Sequence, residues 1–257
     1  MEYIFYKYQG TGNDFVIIDN RQKNFSKNNT KLIAQICDRK FGVGADGLLL
    51  LEDHSSADFT MHYYNADGNI GSMCGNGGRC MVHFANYLNI IDSFAVFEAI
   101  DGMHEASINK NIISLSMNDV DTVKISGTHS FVNTGSPHHV QMVSKLESMD
   151  VVTLGREIRT NMYGEAGANI NFVERNEDDS FSVRTYERGV ENETLSCGTG
   201  VTAVAVAMYE NGMTNSLRVT LKTSGGNLSV SFVKSESGYE SIKLIGPATQ
   251  VFKGIWR

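Results

Sequence analysis

Two cysteines stand directly before glycine-rich turns, each followed by an apolar run typical of a helix. Cys74 precedes Gly-Asn-Gly-Gly in the stretch SMCGNGGRC, and Cys197 precedes Gly-Thr-Gly in the stretch LSCGTGVTAVAVAM. The first turn of a helix leaves backbone N–H groups unpaired and carries the positive end of the helix dipole. A thiol at such a position is expected to have a lowered pKa and thiolate character. Glycines there allow an anionic ligand to approach the backbone closely.

Two related turns of this kind predict one pseudo-symmetric site, with two thiols facing a small anion. Inversion of a carbon stereocentre needs such a pair, because one group removes a proton from one face while the other delivers a proton to the opposite face. Helix N-termini would hold the substrate carboxylate and stabilise a planar carbanion. A hydrolase needs one nucleophile and a base, so it has no use for the second cysteine.

The other two cysteines lack this context. Cys37 lies on the apolar face of a predicted helix, and Cys80 lies within the helix that follows the first motif. A cysteine so placed is usually a small buried hydrophobe. The four cysteines form no Cys-x-x-Cys pair, so in a reducing compartment we expect thiols rather than disulfides.

The chain repeats itself at an offset of 123 residues, which superposes Cys74 on Cys197 and Gly75 on Gly198. The strand before each cysteine and the helix after it fall into register as well. This repeat predicts an α+β protein of two pseudo-symmetric domains, each a mostly antiparallel sheet or barrel wrapped around a central helix. The helix over Val201–Met208 is apolar nearly all round, so we expect it to be buried on all sides.

The repeat also predicts the domain limits. We expect an N-terminal domain over residues 1–118 and a C-terminal domain over residues 119–246, with the active site in the cleft between them. The best candidate for a linker is the stretch MNDVDTVKISG, residues 117–127.

The composition is that of an ordinary globular protein of 257 residues, with 20% charged residues and a formal net charge of −7. The sequence contains no block of lysines and arginines, so neither nucleic acid nor an anionic membrane surface is an expected partner. The stretch MEYIFYKYQGTGNDF has no apolar run of the signal-peptide type, and no segment reaches the roughly 18 to 20 apolar residues of a membrane span. We therefore expect a cytoplasmic protein that acts on a small molecule.

Neither a metal nor a cofactor is indicated by the sequence. The pair His138-His139 has no cysteine or acidic cluster nearby that would complete a metal site. Lys7 and Lys31 lack the phosphate-binding context that would favour a pyridoxal-phosphate Schiff base. We expect a reaction without metal or cofactor.

Seven motifs, in this order along nearly the whole chain, resemble one family: GTGNDFVIID, FGVGADGLLLLE, NADGNIGSMCGNGGRC, NTGSPHHV, GANINFV, YERGVENETLSCGTG and GPATQVFKGI. The chain resembles the diaminopimelate epimerases, cofactor-independent isomerases of lysine and peptidoglycan-precursor biosynthesis. The wider racemase superfamily shares the paired cysteines. It does not usually share Asn-Ala-Asp-Gly together with Tyr-Glu-Arg-Gly.

The resemblance implies a role for each matching residue in the interconversion of LL- and meso-2,6-diaminopimelate. Cys74 and Cys197 would be the acid/base pair, with Cys74 the base for the L centre and Cys197 the base in reverse. Backbone N–H groups for the carboxylate beside the reacting carbon would come from Gly75, Asn76, Gly198 and Thr199. The rest of the substrate would be held by Asn13, Asn65, Asn169, Glu187 and Arg188.

Within this set, the resemblance gives Arg188 the distal carboxylate and Glu187 an ammonium group. A bidentate arginine–carboxylate pair is chemically apt for the first task. Glu187 would also set the thiol pKa values together with His138.

Two positions depart from the pattern of many members. Gly47 stands where many members carry a substrate-binding glutamine, and Ser136 stands where many carry asparagine. Gly47 offers only its backbone to a substrate, whereas Ser136 keeps a hydroxyl. The resemblance further implies that the final strand, residues 247–257, completes the first domain. It also implies a homodimer, with Phe252 at the position of a dimer-contact aromatic residue.

Alternative interpretations remain open from the residues themselves. A proline-type racemase would share the cysteines, but a substrate without a distal amino-acid end needs no Arg188 or Glu187. A thiol-based anion-binding or redox-sensing protein would bind its ligand without exchanging the α-hydrogen. Asn13 and Asn65 also suit turns beside glycine, and Glu187 with Arg188 also suits a solvated charge pair.

Overall fold

A computed structural model describes residues 2–257, and these divide into two compact units, residues 2–115 with 246–257 and residues 116–245. We call them unit 1 and unit 2. The strands are β1 (Tyr3–Gly10), β2 (Asn13–Asp19), β3 (Gly47–Glu52), β4 (Phe59–Asn65), β5 (Phe94–Ala99), β6 (Gly102–Asn109), β7 (Ile112–Ser116), β8 (Val123–Ser126), β9 (His129–Asn133), β10 (Pro137–Met142), β11 (Asn169–Arg175), β12 (Phe181–Glu187), β13 (Asn192–Thr194), β14 (Arg218–Thr223), β15 (Gly226–Lys234), β16 (Tyr239–Pro247) and β17 (Thr249–Trp256). The helices are α1 (Thr30–Cys37), α2 (Gly75–Tyr87), α3 (Val151–Tyr163) and α4 (Gly198–Glu210), with a short 3₁₀ turn at Leu146–Ser148.

The strands of unit 1 pair in the order β17-β1-β2-β3-β4-β5-β6-β7. Two of these pairs, β2–β3 and β4–β5, are parallel, and the others are antiparallel. Unit 2 has the corresponding order β8-β9-β10-β11-β12-β14-β15-β16, with parallel pairs β10–β11 and β12–β14. The repeat read from the sequence is therefore a repeat of sheet topology, and the predicted fold class is confirmed.

Each sheet wraps around one helix, α2 in unit 1 and α4 in unit 2. Every residue of α4 from Gly200 to Met208 is buried, as its uniformly apolar sequence predicts. The second helices, α1 and α3, cover the opposite faces of the two sheets. A strand covered on both faces reads as a continuous apolar run, which explains the sequence GLLLLE of β3.

The segment that the sequence suggested as a linker, residues 117–127, has regular structure inside unit 2. Val120 is buried and forms a β-bridge with Tyr239, and β8 begins at Val123. No helix within residues 2–257 combines the length and the apolar character needed to cross a membrane.

Candidate active site

The two motif cysteines occupy the same backbone position at the start of the two central helices. Cys74 is the N-cap of α2, with φ −115° and ψ 116°, and Cys197 is the N-cap of α4, with φ −118° and ψ 114°. Neither side chain caps its own helix. In each helix the cysteine carbonyl accepts the first intrahelical bond, from Gly78 N at 2.8 Å and from Val201 N at 3.0 Å. Both thiols therefore lie at helix N-termini, as predicted.

In unit 1 the Cys74 thiol lies against the β1–β2 turn. Its Sγ atom donates to Asn13 Oδ1 over 3.4 Å, and Asn76 Nδ2 donates to the same oxygen over 3.3 Å. The structure thus brings Asn13, Cys74 and Asn76 together, although the sequence separates Asn13 from Cys74 by 61 positions.

A cluster of four charged residues holds Asn13 in place. Asp46 Oδ2 accepts from Asn13 Nδ2 at 2.7 Å, and the other carboxylate oxygen of Asp46 pairs with Arg39 at 2.8 Å. Arg39 also pairs with Asp14 at 2.7 Å, and Asp14 pairs with Lys7 at 2.6 Å. Because Asp46 takes the amide nitrogen of Asn13, the amide oxygen is directed to Cys74. None of these four residues was singled out as supporting the site from the sequence.

Asn65 and Gly47 are adjacent in the sheet of unit 1, where they form a cross-strand pair of β3 and β4. Asn65 is exposed, whereas Gly47 is buried. A Cβ atom at Gly47 would lie 2.4 Å from Tyr64 O and 2.5 Å from the Tyr63 ring. The Tyr63 ring is flanked in the same way by Gly71. Tyr63 therefore takes the space in which a side chain at position 47 would begin, so only glycine fits there.

Arg79 is fully buried in α2 and is a residue that the sequence analysis did not single out. Its guanidinium donates to Thr11 Oγ1 at 3.1 Å, to Pro247 O at 3.4 Å and to Gly75 O at 3.5 Å. It forms no ion pair with any carboxylate of residues 2–257. Arg79 thus joins the first turn of α2 to the turn that leads into Asn13. The sequence signal that could have identified Arg79 was a charged residue within an otherwise buried helix.

In unit 2 the Cys197 turn is held by threonines. Cys197 Sγ lies 3.5 Å from Thr199 Oγ1, and Thr134 Oγ1 donates to Thr199 O at 3.1 Å. Thr202 Oγ1 donates to Gly198 O at 2.9 Å. The first turn of α4 therefore has a neutral hydrogen-bonding environment where α2 has Arg79.

The substrate-binding residues expected in unit 2 also lie together. Asn169 Nδ2 donates to Ser136 Oγ at 3.1 Å, and Asn169 Oδ1 accepts from Arg188 N at 2.8 Å. The Arg188 side chain is exposed, and its Nη1 atom donates to Ala166 O at 2.9 Å. Glu187 is half-buried at the end of β12. Asn169 thus links the turn at Ser136 to the backbone of the expected distal clamp.

His138 and His139 have different environments. His138 is fully buried, and burial together with the positive charge of Arg188 lowers its pKa to about 3. His139 lies close to the hydroxyl of Tyr163, at 2.9 Å, and to Gln141 Oε1, at 3.1 Å. Among residues 2–257, no group of three or more histidine, cysteine, aspartate or glutamate side chains is arranged to hold a metal ion.

The two remaining cysteines are buried as expected. Burial raises the pKa of Cys37 to about 12, and it raises the pKa of Cys80 to about 12 as well. A thiol with so high a pKa carries little thiolate at neutral pH, so neither residue is a candidate acid/base group.

Comparisons with known proteins identify the family. The family model described as diaminopimelate epimerase matches residues 5–114 and 130–251. The chain is 57% identical over 250 residues to a diaminopimelate epimerase of Flavobacterium psychrophilum, with 96% of this chain and 98% of the relative covered. It is 43% identical over 256 residues to that of Chlorobaculum tepidum, with 95% and 98% covered. The chain belongs to the diaminopimelate epimerase family. The resemblance read from the motifs is confirmed, and the chain is an isomerase of this family.

Solved structures share the fold of this epimerase-family chain. A phenazine biosynthesis protein of the PhzF family from Bacillus anthracis superposes with a TM-score of 0.80 at 13% identity, covering 100% of this chain and 99% of the other. A hydroxyproline epimerase from Agrobacterium vitis superposes with a TM-score of 0.68 at 13% identity, covering 99% and 92%. At such low identity, these likenesses concern the fold alone.

The charged cluster around Asn13 makes the stability of the epimerase depend on pH. Burial acts to raise the pKa of Asp14, but hydrogen bonds from Arg39 and Lys7 outweigh it and lower the pKa from 3.8 to about 2. The stabilisation is therefore complete above the unfolded-state pKa and is lost as the pH falls through about 2. We expect Asp14→Asn to lower the free energy of unfolding by roughly 2 kcal/mol at neutral pH.

Urea unfolding of wild type and Asp14→Asn over a series of acidic pH values measures this effect. The difference between the two proteins should shrink as the pH falls from 3.8 towards 2. Asp121→Asn, at an exposed aspartate of unit 2, is the control. A difference that stayed constant across that range would contradict the assignment.

Proposed function

We propose that Cys74 and Cys197 exchange protons with the α-carbon of diaminopimelate and so interconvert its LL and meso forms without a cofactor. The closely matching N-cap geometry of the two cysteines carries this proposal. Two groups of one chemical type at equivalent positions suit a reaction that must run in both directions, because the acid of one direction is the base of the other. Lysine and diaminopimelate biosynthesis is the metabolic setting of the family. Through its product we also assign the chain to the synthesis of peptidoglycan precursors.

The proposed proton transfers balance in each direction. The Cys74 thiolate takes the α-proton of the L centre, and the electron pair of the C–H bond delocalises into the adjacent carboxylate. The Cys197 thiol then delivers its proton to the opposite face of the carbon. The cycle ends with a thiol at Cys74 and a thiolate at Cys197, which is the starting state for the reverse reaction.

Backbone N–H groups at the two helix N-termini are proposed to bind the carboxylate beside the reacting carbon. The donors are those of Gly75 and Asn76 in α2, and of Gly198 and Thr199 in α4. Negative charge grows on this carboxylate as the carbanion forms, and fixed dipoles directed at it stabilise that charge without reorganisation. Glycine at the first position of each helix leaves the N–H accessible to an anion.

We assign the distal end of the substrate to a set of polar residues in unit 2. Arg188 would pair with the distal carboxylate and Glu187 with the distal ammonium, while Asn169 and Ser136 orient the chain between them. Asn13 and Asn65 of unit 1, with the backbone of Gly47, are proposed to complete substrate binding. As the family resemblance implies, we place the substrate in a cleft between the two domains.

Alanine substitution of either motif cysteine is expected to reduce epimerisation by about 10²- to 10⁴-fold, because each thiol is needed as acid or base. Purified Cys74→Ala and Cys197→Ala would be incubated with LL-diaminopimelate in D₂O, and NMR would follow formation of the meso isomer and loss of the α-hydrogen. Cys37→Ala is the matched control, since it removes a buried thiol outside the site. Near-normal turnover in either motif variant would remove that cysteine from the mechanism.

Arg188→Met is expected to raise KM for diaminopimelate by roughly 10- to 100-fold, because a charge-assisted hydrogen bond to the distal carboxylate is lost. Steady-state kinetics in both directions measure this, with Arg188→Lys as the conservative variant. Arg175→Met, at a half-exposed arginine paired with Asp179, is the control. An unchanged KM would contradict the assignment of Arg188 to the distal carboxylate.

We also infer a homodimer that uses strand β17. Val251, Phe252 and Ile255 of β17 are exposed, and Ile4 of the paired strand β1 is exposed too. The Phe252 ring contacts Phe5 edge-on at 5.9 Å, which holds it in a fixed orientation. Exposed apolar side chains clustered around one strand suit an interaction surface.

Sedimentation velocity should give the mass of a dimer for wild type and that of a monomer for Phe252→Asp, because a buried unpaired charge opposes association. Ile125→Asp, on an exposed apolar residue of unit 2, is the control and should sediment like wild type. A wild-type monomer, or a Phe252→Asp dimer, would contradict the interface.

We propose a cytoplasmic location. Cys37 and Cys80 are buried thiols, and such thiols are kept reduced in the cytosol. Fractionation of expressing cells checks it.

A further inference from the structure

The side chains behind the two cysteine turns differ in polarity, although the backbones correspond. A Cβ atom at Gly77, the third residue after Cys74, would contact apolar atoms of Leu49 and Phe15 at 3.5 and 3.6 Å. A Cβ atom at Gly200, the third residue after Cys197, would lie 2.6 Å from Asn171 Oδ1 and 3.3 Å from Cys197 Sγ. The first cysteine turn therefore packs on an apolar surface, and the second packs on a polar one.

Strand register shows that Phe15 and Leu49 in unit 1 occupy the positions that His138 and Asn171 occupy in unit 2. Phe15 pairs with Gly47 and Leu49 pairs with Tyr63 in unit 1. In unit 2, His138 pairs with Asn169 and Asn171 pairs with Thr185. The apolar and aromatic set Phe15, Leu49 and Tyr63 is thus replaced in unit 2 by the polar set His138, Asn171 and Thr185.

The orientation of the Asn171 amide follows from its partners. Its Nδ2 atom lies 2.9 Å from His139 O, and a carbonyl oxygen only accepts hydrogen bonds. The atom facing that carbonyl must therefore be the NH₂ group, which leaves Oδ1 to accept from Thr185 Oγ1 at 2.9 Å. Asn171 is fully buried, so water does not compete for either bond.

The fixed amide determines the tautomer of His138. Asn171 Nδ2 lies 3.3 Å from His138 Nδ1, so Nδ1 carries the lone pair and the proton is on Nε2. The ring is fully buried, and its Nε2 atom has no hydrogen-bond partner among residues 2–257. A buried donor without an acceptor is costly, so this N–H is suited to an acceptor that arrives during the reaction.

We propose that Asn171 and Thr185 are positioning residues that hold His138 as the neutral Nε2–H tautomer, so that it offers one fixed hydrogen-bond donor to an anion at the reacting centre. The anion is a thiolate or the substrate carboxylate, and His138 does not act as a base. Unit 1 has no equivalent donor, because Phe15 and Leu49 occupy the corresponding positions. This inference rests on the proposed function, in which Cys74 and Cys197 exchange protons with the substrate.

The first test uses the wild-type protein. With ¹⁵N-labelled histidine, NMR reports the protonation of each ring nitrogen, and comparison with His138→Gln assigns the signals among the seven histidines. We expect His138 to show protonated Nε2 and unprotonated Nδ1 throughout the pH range of activity. A cationic ring, or a proton on Nδ1, would overturn the proposal.

The ¹⁵N signals of His138 also identify the anion that accepts a hydrogen bond from Nε2–H. A change in the Nε2–H signal on raising the pH of the ligand-free protein would identify a thiolate as the acceptor. A change only on adding diaminopimelate would identify the substrate carboxylate. Both results support the donor role, and an Nε2–H signal that responds to neither treatment would contradict it.

The second test changes the group that sets the tautomer. In Asn171→Asp the carboxylate accepts from Nδ1–H, so we expect a proton on Nδ1 and a cationic His138 near neutral pH. We also expect kcat/KM to fall at least tenfold and its pH profile to shift. Thr185→Val should keep the tautomer with a smaller loss. Asn211→Asp makes the same change at the end of α4 and should leave both His138 and activity unaltered.

Failure of this inference is distinguishable from failure of the proposed function. If Asn171→Asp moves the His138 proton but leaves kcat/KM and its pH profile unchanged, the positioning role is wrong and the cysteine mechanism stands. If Cys74→Ala and Cys197→Ala retain turnover, the proposed function fails while the wild-type tautomer is still measured. Should Asn171→Asp not fold, the wild-type spectrum and Thr185→Val still decide the question.

Discussion

In the first turns of helices α2 and α4 every residue except Thr199 is buried, so water has little access to the N–H groups there. Unpaired N–H groups in a buried setting need acceptors, and the proposed function assigns that part to the substrate carboxylate. The glycines after each cysteine leave these N–H groups accessible to such an acceptor. A thiol at the N-cap of such a helix lies beside these N–H groups.

The two units have corresponding backbones, but the side chains around their central helices differ. Arg79 in α2 corresponds by the 123-residue repeat to Thr202 in α4, and each donates to a carbonyl in the first turn of its helix. The charge of Arg79 and the charged cluster behind Asn13 belong to unit 1 alone. The neutral chain from Thr185 through Asn171 to His138 belongs to unit 2 alone. Because only one end of diaminopimelate reacts in each turnover, the two halves of the site have different tasks.

Tight packing accounts for one departure from the family pattern. Gly47 has no room for a Cβ atom, since the Tyr63 ring is flanked by Gly47 and Gly71. The loss of a side chain at position 47 is therefore linked to the presence of a tyrosine two residues before Asn65. Sequence reading detected the departure at Gly47, but the neighbour that explains it lies on the adjacent strand.

Elements that depend on short stretches of the chain could be predicted from the sequence. The apolar run of α4, the Cys-Gly turns, the repeat and the family motifs are all contiguous in the chain, and burial of α4 follows from its composition. Only the tertiary structure decided which distant side chains support the site. Asp46 at Asn13, Arg79 at Thr11, and Asn171 between Thr185 and His138 are brought together by strand register and packing. Register is a relation between segments far apart in sequence, and a shift of one residue would turn strand side chains such as Asn171 and Thr185 to the other face of the sheet.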